Sequence, residues 1–166
     1  ALARQLLTRG YEVGLYLAIF GHPLSNDCSR QLEICQAMEL AIVELGKDWQ
    51  ESAASAAGAD LVVDALFGTG LERPLTKPYA ELVEWMNALP APRLAIDIPS
   101  GLDAGRAHPI GPSIRAEATV TFGAPKLAHQ VDVSPGCRGA APHQLDESEQ
   151  PQGRVEIAQQ ARVPRG

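Results

Sequence analysis

Apolar and polar positions along the chain alternate between two periods. Leu2, Ala3, Leu6 and Leu7 share one helical face and Gly10 follows as a natural stop, so residues 1–10 predict the end of an amphipathic helix. Glu12–Ala18, EVGLYLA, predicts a strand. After a loop with Gly21, Pro23 and Asn26, helical spacing resumes over Asp27–Met38, with Ser25 or Asn26 as the cap. Leu40–Val43 predicts a short strand, residues 48–57 are compatible with helix, and Leu61–Ala65 predicts another strand. Tyr79, Leu82, Val83, Met86 and Leu89 form one stripe of the clearest helix, opened by Pro78 and stopped by Pro90 and Pro92. Arg93–Ile98 and Glu117–Phe122 complete the strands.

Strands alternating with helices argue for βαβ units, hence an α/β three-layer sandwich on a mostly parallel sheet. The runs around Asp64 and Asp97 are apolar throughout, as expected of strands covered on both faces. We place the α/β domain at residues 1–140. Residues 141–166 are expected to be a polar loop or tail, with at most an edge strand near Gly153–Ala158. Nothing caps the first helix and no Met precedes it, so the domain is expected to be incomplete at its N-terminus.

Composition narrows the function. The length of 166 residues suits one domain, and 45% hydrophobic with 20% charged residues is ordinary for a globular protein. A net charge of −6 leaves no basic footprint for nucleic acid, and any anionic ligand must be held by local features. Cys28, Cys35 and Cys137 make no Cys-x-x-Cys pair and point to reduced thiols in a cytoplasmic protein. The scattered histidines (His22, His108, His129 and His143) lack zinc-ligand spacing. No apolar run approaches the roughly 20 residues of a membrane span.

Two segments carry the chemistry. LVVDALFGTG (residues 61–70) and LAIDIPSG (94–101) share one design: an apolar run, an Asp, then a loop with glycine. In open parallel sheets, ligands bind beyond the carboxyl ends of the strands. An ionised Asp inside an apolar run costs several kcal/mol unless it is paired or solvated, so Asp64 and Asp97 are expected at the strand exits, facing a ligand, a cation or water. The alternative is that each ties down a turn or caps a helix. Gly68-Thr69-Gly70 can bring backbone N–H groups close to a phosphate, but it is neither a P-loop nor a dinucleotide fingerprint. Asp103 suits a turn. Lys126 could face a phosphate or simply solvent. Ser100 does not lie in a nucleophile elbow.

VVDALFGTGL (Val62–Leu71), the Pro78-Tyr79 helix, AIDIPSGLDA (Ala95–Ala104) and TVTFGAPK (Thr119–Lys126), in this order and spacing, resemble the YjeF N-terminal domain family, the NAD(P)H-hydrate epimerases. The resemblance implies a Rossmann-like fold and interconversion of the R and S epimers of hydrated NADH or NADPH. A dehydratase, fused or separate, would then restore the cofactor. It further implies a potassium ion held by Asp64 and Ser100. The loop of Gly68, Thr69, Gly70, Leu71, Glu72, Arg73 and Pro74 would bind the substrate. Asp97 would contact the substrate and serve as the acid–base group. Against the family pattern, the first strand and its Asn-Gly loop are missing before Ala1, and no Asp follows Ala158. A non-catalytic scaffold or homodimerisation module of the same fold is the alternative.

Overall fold

The computed structural model describes residues 1–130 and 153–160. In chain order it contains α1 (Leu2–Thr8), β1 (Glu12–Ala18), α2 (Asn26–Ala37), β2 (Ala41–Glu44) and α3 (Trp49–Ala53), which continues into a 3-10 turn, Ala54–Gly58. Then come β3 (Leu61–Ala65), α4 (Tyr79–Ala88), β4 (Arg93–Ile96), β5 (Ala118–Val120), a second 3-10 turn (Leu127–Gln130) and β6 (Arg154–Gln160).

The six strands form one sheet in the order β2-β1-β6-β3-β4-β5, and every pairing is parallel. Alternation sorts each strand's side chains onto two faces. Val13, Leu15 and Leu17 of β1 pack with Val63, Val155 and Ile157 under α1 and α2. Tyr16 and Ala18 pack with Val62 and Ala158 under α3 and α4, against Trp49, Leu82, Val83 and Met86. The α4 stripe is buried, and each such side chain contributes about 1.5–3 kcal/mol by leaving water. Ser25 caps α2, its hydroxyl accepting from the Cys28 N–H at 3.3 Å. This is the α/β Rossmann-like sandwich expected, with an entirely parallel sheet.

One expectation is overturned. The last strand lies inside the sheet, hydrogen-bonded to β1 and to β3, and not at an edge. It therefore belongs to the α/β domain and not to a separate tail. In the doubly wound order 3-2-1-4-5-6 the central place belongs to the first strand; here the last strand holds it, and the sheet has no gap there. Glu156, on this strand, is 2% exposed. It faces Gly14 in register, and a Cβ at Gly14 would lie within the Glu156 carboxylate, so a missing side chain on β1 makes the room. Arg154 supplies the countercharge at 2.7 Å. Cys137, His143 and the whole polar 141–152 stretch lie outside the described residues.

Candidate functional site

The strands β3, β4 and β5 end side by side, and their three exit loops carry the residues singled out by the sequence. Asp64 is the fourth residue of β3 and, at 1% exposed, is buried on the face of the sheet that also carries Val62. It does not reach solvent at the strand exit as expected. Instead, Oδ1 accepts from the Ser100 hydroxyl at 2.6 Å and from the Leu66 N–H at 3.2 Å, while Oδ2 accepts from the Ser100 N–H at 2.7 Å. The turn-tying alternative thus describes part of what Asp64 does. Ser100, also 1% exposed, accepts in turn from the Phe67 N–H at 2.9 Å, so one hydroxyl joins the loop after β3 to the loop after β4.

Every donor to Asp64 is neutral; among the described residues no Lys, Arg or His pairs with it. Burial pushes its carboxyl up to about 6, and the hydrogen bonds from Ser100 and Leu66 offset only part of that rise. A buried carboxylate with no countercharge among the described residues, bonded to a hydroxyl, offers oxygen donors of the kind a hard cation takes. The residues present therefore fit such an ion.

Asp97 follows β4 with φ +75, a left-handed conformation uncommon for a residue with a side chain. Its backbone N–H donates to Val120 O at 2.7 Å, tying it to the end of β5. Its carboxylate lies over the glycine loop: a Cβ at Gly68 would sit 3.3 Å from Oδ2. Lys126 Nζ donates to Oδ1 at 2.5 Å. Burial alone would raise the Asp97 carboxyl. The Lys126 ammonium, with help from the Phe122 N–H and the Thr121 hydroxyl, outweighs it and holds the group below the usual carboxylate range. Asp64 and Asp97 share no hydrogen bond, and their link runs through Ser100, Phe67 and Gly68.

In the loop itself, Thr69, Gly70, Glu72, Arg73 and Pro74 are exposed while Gly68 and Leu71 are half-buried. Phe67 meets the Tyr79 ring edge-on at 5.1 Å, and Tyr79 donates its hydroxyl to Ala18 O at 3.1 Å, which fixes the base of the loop. Gly101 has φ +100 and no room for a Cβ, which would sit 2.6 Å from Ser113 Cα, so only glycine lets the chain turn away behind Ser100. Asp103 holds a turn, accepting from the Gly105 N–H at 2.9 Å and pairing with Arg106 at 2.9 Å. The apolar cavity between the sheet and α4, bordered by Tyr16, Val62, Met86 and Glu156, includes none of these site residues.

Sequence reasoning missed the partners of Asp97. Lys126 is neither solvated nor turned to an open loop, and Thr121 and His129 belong to the same cluster. The available signal was the parallel order itself. Adjacent parallel strands end on the same side, so residues just after β5 must lie beside residues just after β4.

Over residues 1–128 the chain matches the family described as YjeF-related protein N-terminus. The chain belongs to this family. It is 38% identical over 126 residues to an NAD(P)H-hydrate epimerase of Weissella koreensis, covering 76% of this chain and 54% of that protein. An NAD(P)H-hydrate epimerase of Rhodopirellula baltica is 36% identical over 129 residues, covering 78% of this chain and 52% of the relative. A bifunctional NAD(P)H-hydrate repair enzyme of Salinibacter ruber is 35% identical over 144 residues, covering 81% of this chain and 26% of the relative. The chain thus spans about half the length of the epimerase relatives and about a quarter of the bifunctional one. Its YjeF N-terminal segment includes all three exit loops up to Ala128.

Proposed function

We propose that this chain carries the epimerase activity of NAD(P)H-hydrate repair, interconverting the R and S epimers of hydrated NADH or NADPH. The observation that carries the reading is the join between the two Asp-bearing segments. Ser100 bonds Asp64 and the Phe67 N–H at once, while Asp97 Oδ2 lies against Gly68. One glycine loop is thereby flanked by a buried uncompensated carboxylate and by an oriented, ionised one.

In this reading Asp64 and Ser100 hold a potassium ion, with backbone carbonyls completing an oxygen shell. The ion would supply positive charge beside an incoming polyanionic nucleotide. Gly68, Thr69, Gly70, Leu71, Glu72, Arg73 and Pro74 hold the substrate's phosphates, the glycines admitting close backbone approach and Arg73 offering an exposed guanidinium. Asp97 contacts the substrate near the hydrated ring carbon. Its low pKa makes it the proton acceptor at neutral pH, and Oδ2, turned to the loop, is the atom placed to take a proton. A dehydratase, fused or separate, is the expected partner, and a homodimer is the expected assembly. The free Cys28 and Cys35 suit a cytoplasmic setting.

The test is to follow the two epimers of NADPH hydrate by chromatography with the chain added, in potassium buffer. Accelerated equilibration that is lost in Asp97→Asn is the expected result. Binding of NADP without any acceleration would replace the enzyme with a scaffold of the same fold.

A further inference from the structure

Asp97 is held from two directions by one segment, residues 121–129. Lys126 spends all three of its ammonium protons locally: on Asp97 Oδ1 at 2.5 Å, on Thr121 Oγ1 at 2.7 Å and on Phe122 O at 2.8 Å. Its own backbone N–H donates to His129 Nδ1 at 2.8 Å. That nitrogen is therefore the acceptor, and the ring proton sits on Nε2, which donates to the Asp97 carbonyl at 2.9 Å. Ala128 is buried with Ile98 and Leu102 and clamps the same segment onto the loop that carries Asp97. Lys126 and His129 are the titratable side chains that contact Asp97 among the described residues.

A left-handed conformation at a residue other than glycine is strained and persists only where the surroundings over-determine it. Here the carbonyl, the N–H and the carboxylate of Asp97 are each tied separately. The Lys126 head is 18% exposed and that of Asp97 20%, so the pair lies at the mouth of the site and not in the core.

We propose that Lys126 is a positioning residue for Asp97: it anchors Oδ1 and leaves Oδ2 turned to Gly68, so that the carboxylate meets a ligand over that loop in a single orientation. The proposal rests on the assignment of Asp97 as the substrate-facing acid–base group. Lys126 is excluded from direct phosphate binding while the pair is made, because no ammonium proton remains to donate. His129 and Thr121 support the lysine, one through the backbone and one through the hydroxyl.

The test is the titration of the Asp97 carboxyl carbon by NMR in the whole chain carrying ¹³C-labelled aspartate, with Asp97→Asn assigning the signal. In the native chain the midpoint is expected below the ordinary carboxylate value. In Lys126→Met the main influence opposing burial is lost and the midpoint rises, while Lys126→Arg returns it below the ordinary value. If the chain turns over, the acid limb of its pH–rate profile moves up with the midpoint in Lys126→Met. A native Asp97 titrating at or above the ordinary value overturns the proposal without any variant. A Lys126→Met protein that melts earlier but leaves the midpoint unmoved also overturns it, since that is how a merely structural lysine behaves. None of these carboxyl readings requires turnover, so an inactive chain with the expected titration would count against the epimerase reading alone.

Discussion

Replacing Asp64 with Asn should reverse one pH trend in the stability of this protein. The Asp64 carboxyl stands at about 6 in the folded chain against 3.8 for an unperturbed Asp, and it is fully buried. At about 1.4 kcal/mol per unit, the gap is worth about 3 kcal/mol of folding free energy. The sign follows from proton binding. A carboxyl raised on folding holds its proton more tightly in the native state, so the Asp64 contribution to stability is most favourable below pH 4 and declines as pH rises through 4 to 6. Above that window the full cost of an ionised buried carboxylate is present. Asp64→Asn removes this titration while keeping the shape. It forfeits a hydrogen bond from Ser100 or Leu66, a loss that does not change with pH.

The assay is urea unfolding followed by the fluorescence of Trp49 and Trp85, which stack edge-on 5.7 Å apart in the core. It is run from pH 4 to 8 with tetramethylammonium as the cation. The difference between wild type and variant should swing by about 3 kcal/mol across the window, against the wild type at high pH. Repeating the series in potassium should shrink the swing, because a bound cation stabilises the ionised form. A difference that is flat with pH, or that favours the wild type as pH rises, would refute the reasoning, since Asp64 would then not be an uncompensated buried charge.

Other outcomes follow from the same geometry. Gly14→Ala puts a methyl group into the space of the Glu156 carboxylate and should cost about 1–3 kcal/mol in urea unfolding, recovered in part by pairing it with Glu156→Ala. Ser100→Ala strips a donor from Asp64 and the acceptor of the Phe67 N–H; a loss of about 2–4 kcal/mol at neutral pH, shrinking in acid, is expected from thermal unfolding across pH. Asp97→Asn tolerates the left-handed backbone and breaks only a partly exposed ion pair. Stability should move by less than about 1 kcal/mol by urea unfolding while epimer interconversion is lost. Glu156→Gln should cost little at neutral pH, and because burial raises the Glu156 carboxyl the variant should gain on the wild type as pH rises, in unfolding titrations from pH 4 to 8.

The strands Glu12–Ala18 and Leu61–Ala65 were legible to the residue because both are buried on two faces and bounded by Gly or polar turns. The helix Tyr79–Ala88 was legible from its stripe and the prolines around it. Strand ends were less so. β4 stops at Ile96 and not at Ile98, because Asp97 leaves extended geometry for the left-handed region, a change that apolar patterning does not encode. The pairing of Asp97 with Lys126 spans 29 residues and depends on which strands are neighbours, so it becomes visible only with the sheet order in hand. That Asp64 would be buried, and not at an exit, was likewise hidden, because the residue that encloses it is Ser100 on another loop.

Two buried carboxylates on the same sheet face separate structural from functional use of charge. Glu156 on β6 and Asp64 on β3 lie on adjacent strands, with Glu156 opposite Val62 and Asp64 opposite Ala158. Burial raises both carboxyls. Glu156 has a guanidinium on Oε1, while Oε2 has no hydrogen-bond partner among the described residues; the charge is balanced but the hydrogen bonding is incomplete. Asp64 shows the reverse: both oxygens are hydrogen-bonded, and among the described residues no Lys, Arg or His pairs with it. Asn here would keep one acceptor oxygen but turn an amide N–H toward a donor that Asp64 now accepts from, so the local bonds by themselves use both carboxylate oxygens. Ionising Asp64 costs about 3 kcal/mol, and in the proposed reading a cation from outside the chain offsets that cost. That reading sets a cation beside Asp64, whose bonds through Ser100 and Phe67 join it to the glycine loop over which Asp97 is held.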